Sequence, residues 1–176
     1  MIKKISLALI LLISLFLGCE RDDICPEDTS TTPMLIIRFY DIDDPDETKS
    51  VRKLTVIGEG LPEGYELVNN TTTDSIALPL QFGNEDQTAI SRFQLKKDSD
   101  YDDNDNPNNS SNTDIIEISY TPEFVYVSRA CGYKSIFNAT EVNTDETNDT
   151  DLWIQNIIEV KTTVDNENEA HIHIFH

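Results

Sequence analysis

The sequence predicts an all-β chain: a single antiparallel β-sandwich of the immunoglobulin-like class, with about eight or nine strands. Three observations predict it. After residue 33 the apolar residues recur with a period of two almost everywhere, as in half-buried strands. Turn-forming clusters interrupt these runs at fairly regular spacing, as a sandwich requires. No window shows a helical apolar stripe with caps. A closed β-barrel is the alternative from the same pattern.

In Met34 to Asp41, Leu35, Ile37 and Phe39 fall on one face. In Val51 to Gly58, Leu54 and Val56 share a face, with Val51 and Ile57 opposite. Ile76, Leu78, Leu80 and Phe82 alternate through the next run, where Pro79 marks an edge strand or a bulge because it cannot donate to a ladder. Phe93 and Leu95 oppose Arg92 and Gln94 in Ala89 to Leu95. Ile116, Ile118 and Tyr120 define the next strand, and Val125, Val127 and Cys131 the one after. Leu152, Ile154, Ile158, Val160 and Val164 share parity across a long strand. The last strand, Ala170 to Phe175, sets Ile172 and Ile174 against His171, His173 and Phe175 and forms a hairpin with its predecessor around Asp165 to Glu169. The turns are Asp43-Asp44-Pro45-Asp46, Gly58-Glu59-Gly60-Leu61-Pro62, Gly83-Asn84 and Asp165-Asn166. Residues 98–113 and 143–151 are acidic, solvated insertions without aliphatic cores of their own.

The start of the chain has a different character. Lys3 and Lys4 precede an apolar run from Ile5 to Leu17, which ends at Gly18-Cys19. A basic start, a short apolar run and a small residue before a cleavage point describe a secretory signal; the run is short of the ~20 residues that span a bilayer. The Cys at that point resembles a bacterial lipoprotein signal, in which the mature chain begins at a lipid-modified Cys19. The expected organisation is a signal peptide over residues 1–18, a lipidated stem over 19–33 and the sandwich over 34–176.

Removing residues 1–18 takes away two lysines and no acid, leaving 158 residues with 11 basic and 33 acidic side chains, a net charge of −22. Such a surface repels nucleic acid and has no polybasic attraction to anionic lipid. Membrane attachment then falls to the acyl chains on Cys19. Cys25 and Cys131 remain, an even pair in an exported chain; a disulfide is the expectation and two free thiols the alternative. The bond would close a loop of about 100 residues, stabilising by about 4 kcal/mol in the chain-entropy model. It would also hold the domain within about 20 Å of Cys19.

Three groups could carry chemistry. Asp98, Asp100 and Asp102 have the D-x-D-x-D spacing of a Ca²⁺ loop, but Asp103 stands where the turn wants Gly and Asn109 where the bidentate Glu belongs. His171 and His173, at i and i+2, share a strand face and could give two ligands to Zn²⁺ or Cu²⁺; a solvent-facing strand is the plainer alternative. Arg129, Tyr133 and Lys134 surround Cys131-Gly132 and could form a small recognition patch, since Arg and Tyr favour interface anchors; Arg129 paired with the acidic surface is the plainer alternative. With the three histidines inside six residues, and no Gly-rich phosphate loop, H-E-x-x-H or G-x-S-x-G, no catalytic motif with a mechanism is present.

The segments Cys19 to Thr29 and Thr32 to Asp41, Ser128 to Phe137 (SRACGYKSIF) and the closing His171 to His176 resemble a family of small Bacteroidota lipoproteins of unknown function. The resemblance implies a habitat, the cell envelope, and no activity. Glu20, Asp22 and Asp23 loosely resemble the acidic surface-export signal of that phylum, and Asp74-Ser75-Ile76 its O-glycosylation acceptor pattern. The expectation is a non-enzymatic outer-membrane lipoprotein that binds a protein or envelope component and needs no cofactor. Its rivals are a structural accessory subunit of an outer-membrane complex and a Ca²⁺- or transition-metal-binding envelope protein.

Overall fold

The computed structural model describes residues 24–27, 29, 31–62, 64–101, 111–145 and 151–176. The signal-like segment and Cys19 lie outside them. No helix among the described residues is long and apolar enough to cross a membrane. The described residues fall into two compact units, one from residues 24–29 and 126–133, the other from residues 31–125 and 134–176.

Nine strands are present among the described residues: β1 (Leu35–Tyr40), β2 (Val51–Gly58), β3 (Val68–Thr73), β4 (Ser75–Leu78), β5 (Ala89–Lys97), β6 (Asn112–Ser128), β7 (Gly132–Thr144), β8 (Asn156–Glu159) and β9 (Ile172–Phe175). They make a four-stranded sheet, β4-β1-β9-β8, and a five-stranded sheet, β3-β2-β5-β6-β7. Neither sheet closes into a barrel. Alternation puts Leu35, Ile37 and Phe39 of β1, Phe93 and Leu95 of β5, and Ile116, Ile118 and Tyr120 of β6 in one shared core. Burying such side chains contributes roughly 1.5–3 kcal/mol each. β1–β4, β2–β3, β2–β5, β5–β6 and β8–β9 pair antiparallel, whereas β1 and β9 pair in parallel. Parallel neighbours need a long crossover, and the whole of the other sheet lies between these two in sequence.

Several elements depart from the sequence pattern, each for a local reason. β3 carries Asn69, Asn70 and three threonines and shows no apolar alternation; it is an edge strand, paired only with β2, so little of it needs burying. β7 hides its period because Ala139 has φ 52°. That residue lets Phe137 face inward and then Thr140 and Val142, shifting parity by one, and Ser135 and Thr140 are themselves buried. β6 continues through Thr121-Pro122 as one strand rather than two; its register with β5 ends at Ala89↔Tyr120, so Pro122 owes β5 no donor. The long strand expected from Leu152 to Val164 shortens to β8. Trp153 and Ile154 are both buried although adjacent, while Ile158 and Val160 are exposed. β4 stops at Leu78, just before Pro79, and is an edge strand. Leu80 still faces the core, but Phe82 is 72% exposed.

A non-glycine residue at positive φ costs roughly 1–2 kcal/mol, more than the entropy lost on placing Gly there. Ala139→Gly is therefore expected to raise unfolding free energy by up to about 1 kcal/mol. Urea denaturation checks this, and a clear loss would show that the bulge is not strained.

In the smaller unit, Cys25 and Cys131 are joined by a disulfide. The Cys131 N–H donates to Ser128 Oγ at 3.0 Å, and Tyr126 meets Tyr133 edge-on with ring centroids 5.4 Å apart. Gly132 follows at φ 71°, a conformation Gly adopts without a Cβ clash.

Candidate functional site

The acidic loop uses its carboxylates on a guanidinium. Arg52 Nη1 donates to Asp98 Oδ1 at 2.9 Å and to Asp100 Oδ1 at 2.7 Å, while Nη2 reaches Asp100 Oδ2 at 2.8 Å. The guanidinium also lies 4.5 Å from the Tyr101 ring centroid. These bonds hold the Asp100 carboxyl below its usual range. Asp98 and Asp100 thus surround a cation the chain itself supplies; Asp102 lies outside the described residues. No group of three or more His, Cys, Asp or Glu placed to hold a metal occurs among the described residues.

The histidine pair separates into two environments. His171 is fully buried, so the solvent-facing alternative fails there. Its Nδ1 accepts from the Ile36 N–H at 3.0 Å, which leaves the proton on Nε2. That nitrogen makes no hydrogen bond, although the Asn166 backbone lies near enough to favour the charged form. His173 is partly exposed and packs against Tyr40, ring centroids 4.5 Å apart at a tilt of 43°. With Nδ1 of His171 already committed to the backbone, the two rings do not offer the matched pair of nitrogens that the i, i+2 spacing predicts. The recognition patch divides as well. Arg129 is exposed and Tyr133 is 69% exposed in the smaller unit, whereas Lys134 belongs to the larger one and is only partly exposed.

All three histidines are held below their ordinary value, chiefly by burial. Lys161 adds to the effect at His171, where Asn166, Asp165 and Glu169 oppose it; Arg38 adds to it at His173; Lys49 and Lys97 add to it at His176, where the Lys49 backbone and Asp41 oppose it. Unfolded histidines take up a proton near pH 6.5, before the folded ones do. Stability should therefore fall as pH drops from about 6.5 through the lower folded values. Comparing denaturation midpoints of wild type and His171→Gln at pH 7.5 and 5 isolates the buried ring, and the variant should show the smaller loss. Equal losses would contradict this assignment.

A site not legible in the sequence lies on the outer face of the four-stranded sheet. Since Leu35, Ile37 and Phe39 point inward, Ile36, Arg38 and Tyr40 point outward. The antiparallel register with β4 sets Arg38 beside Ser75, and the parallel register with β9 sets it beside His173. Ser75, Arg38 and His173 therefore form a row across three strands at about 4.8 Å spacing. A groove of about 610 Å³ lies over this row, walled on one side by Glu167, Asn168 and Glu169.

The wall is tethered at both carboxylates. The Met34 N–H donates to Glu167 Oε1 at 2.8 Å, and Lys161 Nζ pairs with Glu169 Oε1 at 2.7 Å. Ser75 Oγ donates to the Ile37 carbonyl at 3.2 Å. Within the row, the Arg38 guanidinium has no ion-pair or hydrogen-bond partner among the described residues. Arg92, on the other sheet, contrasts with it: Glu117 grips its guanidinium at 2.6 and 2.7 Å. The hollow beside Arg92, of about 270 Å³, is walled largely by apolar residues such as Leu61, Leu80 and Phe93.

Fold and groove together define an all-β sandwich carrying an open polar site on one sheet face. The chain belongs to a family of unknown function (DUF6452), whose model matches residues 53–176. β1, with Arg38 and Tyr40, precedes the matched range, while Ser75 and His173 lie within it. No curated protein and no solved structure matches the chain.

Proposed function

We propose that this chain is a non-enzymatic binding module of the cell envelope, anchored through lipid on Cys19, and that its ligand is received in the Ser75–Arg38–His173 groove. The observation that carries the reading is Arg38. A chain with 33 acidic and 13 basic residues has an ample supply of carboxylates, yet this guanidinium, in a groove, takes none of those among the described residues. Arg presents a rigid fork of donors suited to an incoming acceptor. The groove volume lies within the range of small-ligand sites. The anchor rests on the basic start, short apolar run and Gly18-Cys19.

Two experiments test the two halves. Cys19→Ala should move the protein from the membrane fraction to the soluble fraction; retention at the membrane would contradict the lipid anchor. A benzoylphenylalanine photocrosslinker at Asn168, on the groove wall, should give an adduct in intact cells that Arg38→Ala diminishes. A crosslinker at exposed Gln94 on the other sheet serves as the control. Adducts at Gln94 but none at Asn168 would overturn the site.

A further inference from the structure

We infer that the groove takes a saccharide bearing a carboxylate, a uronic-acid unit within an otherwise uncharged glycan, with Arg38 gripping the carboxylate and Tyr40 and His173 giving the ring a face to rest on. The inference rests on the groove being the ligand site and adds its chemical class.

Four observations lead to it. Arg38 has no partner among the described residues, so its fork is open to an acceptor from outside, and a planar carboxylate matches it. The ligand cannot be strongly anionic, because the formal net charge is −20. At physiological ionic strength that field is screened beyond about 8 Å, so one acidic group set directly on Arg38 is tolerated where a polyanion is repelled. The rest of the groove asks for hydroxyl groups. Glu167 and Glu169 keep acceptor capacity beyond the one bond each makes, Asn168 offers both donor and acceptor, and Ser75 Oγ still has lone pairs to give. Finally, Tyr40 and His173 lie side by side, ring centroids 4.5 Å apart and tilted by 43°, and both line the groove. Each has an apolar ring body and a polar edge, which suits a sugar with one apolar face and a rim of hydroxyls.

The test is titration calorimetry on the disulfide-intact mature protein. The probes are glucuronic- and galacturonic-acid oligosaccharides, their neutral glucose and galactose counterparts, and a peptide with a free C-terminal carboxylate. An acidic oligosaccharide should bind at least tenfold more tightly than its neutral counterpart. Arg38→Ala should remove that preference, and Tyr40→Ala should weaken both sugars. Equal binding of neutral sugars, a preference surviving Arg38→Ala, tighter binding of the peptide, or no acidic sugar binding better than about 1 mM would each overturn the saccharide assignment. The Asn168 crosslink reads the groove separately: an adduct in cells together with failed sugar titrations would reject the ligand class and keep the site.

Discussion

Phe39→Ala is expected to lower the unfolding free energy by about 3–5 kcal/mol. Phe39 lies in β1, between β4 and β9 in the four-stranded sheet. It is fully buried, with ring centroids 6.2 Å from Trp153 and 6.2 Å, edge-on, from His176. Its backbone is committed too: the N–H donates to Asp74 at 2.8 Å, and the carbonyl accepts from Lys49 at 3.1 Å. Truncation therefore leaves a cavity whose walls are pinned by sheet hydrogen bonds and cannot collapse far. Phe39→Leu refills most of that space and should cost less than the alanine change. Urea denaturation measures both. A loss under about 1 kcal/mol for the alanine variant would mean that the site relaxes freely.

The second large effect is expected at the disulfide. Cys25 and Cys131 are 106 residues apart in sequence, and a loop of that length restrains the unfolded chain by about 4–5 kcal/mol. The double variant Cys25→Ser/Cys131→Ser should lose stability of that order, with a steeper denaturant dependence because its unfolded state expands further. A loss below about 1 kcal/mol would show that the unfolded loop is restrained by other means. Domains of this size are stable by about 5–15 kcal/mol in total, so Phe39→Ala combined with the Cys-to-Ser changes should leave little folded protein at room temperature.

Sequence reasoning succeeded where one face of a strand meets the core and the other meets water. β1, β5 and the first half of β6 have the buried residues that their alternation predicts; in β2, Lys53 at φ 50° breaks the parity, so Val51 is buried with Leu54 and Val56 instead of facing the other way with Ile57. It failed where tertiary context replaces that rule. Edge strand β3 buries too little to need apolar residues. β7 contains a parity shift at Ala139 and buries Ser135 and Thr140. The region after Leu152 is held by side-chain hydrogen bonds rather than a ladder: the Trp153 indole donates to the Leu95 carbonyl at 3.1 Å, and the Ile154 N–H to Asp114 Oδ2 at 2.8 Å.

The candidate site was harder to read for a related reason. Alternation alone turns Arg38 outward. Its neighbours Ser75 and His173 come from sequence positions 37 residues later and 135 residues later, and only the registers of β4 and β9 bring them together. D-x-D-x-D and His-x-His are local spacings, and local spacing could not reveal that Arg52 reaches Asp98 and Asp100 or that the Ile36 N–H occupies His171. That Arg38 lacks a partner among the described residues is invisible until the other pairings are known.

The central claim is that the outer face of the β4-β1-β9 row is where the ligand sits. Amide hydrogen exchange tests it most directly, comparing the protein in native cell preparations with the purified protein. Occupancy of the groove should slow exchange in the wall segment 165–170 in the cell preparation, and Arg38→Ala should remove that protection. Unchanged exchange at 165–170, with protection appearing instead around Glu59 and Arg92, would contradict the account and move the binding face to the other sheet.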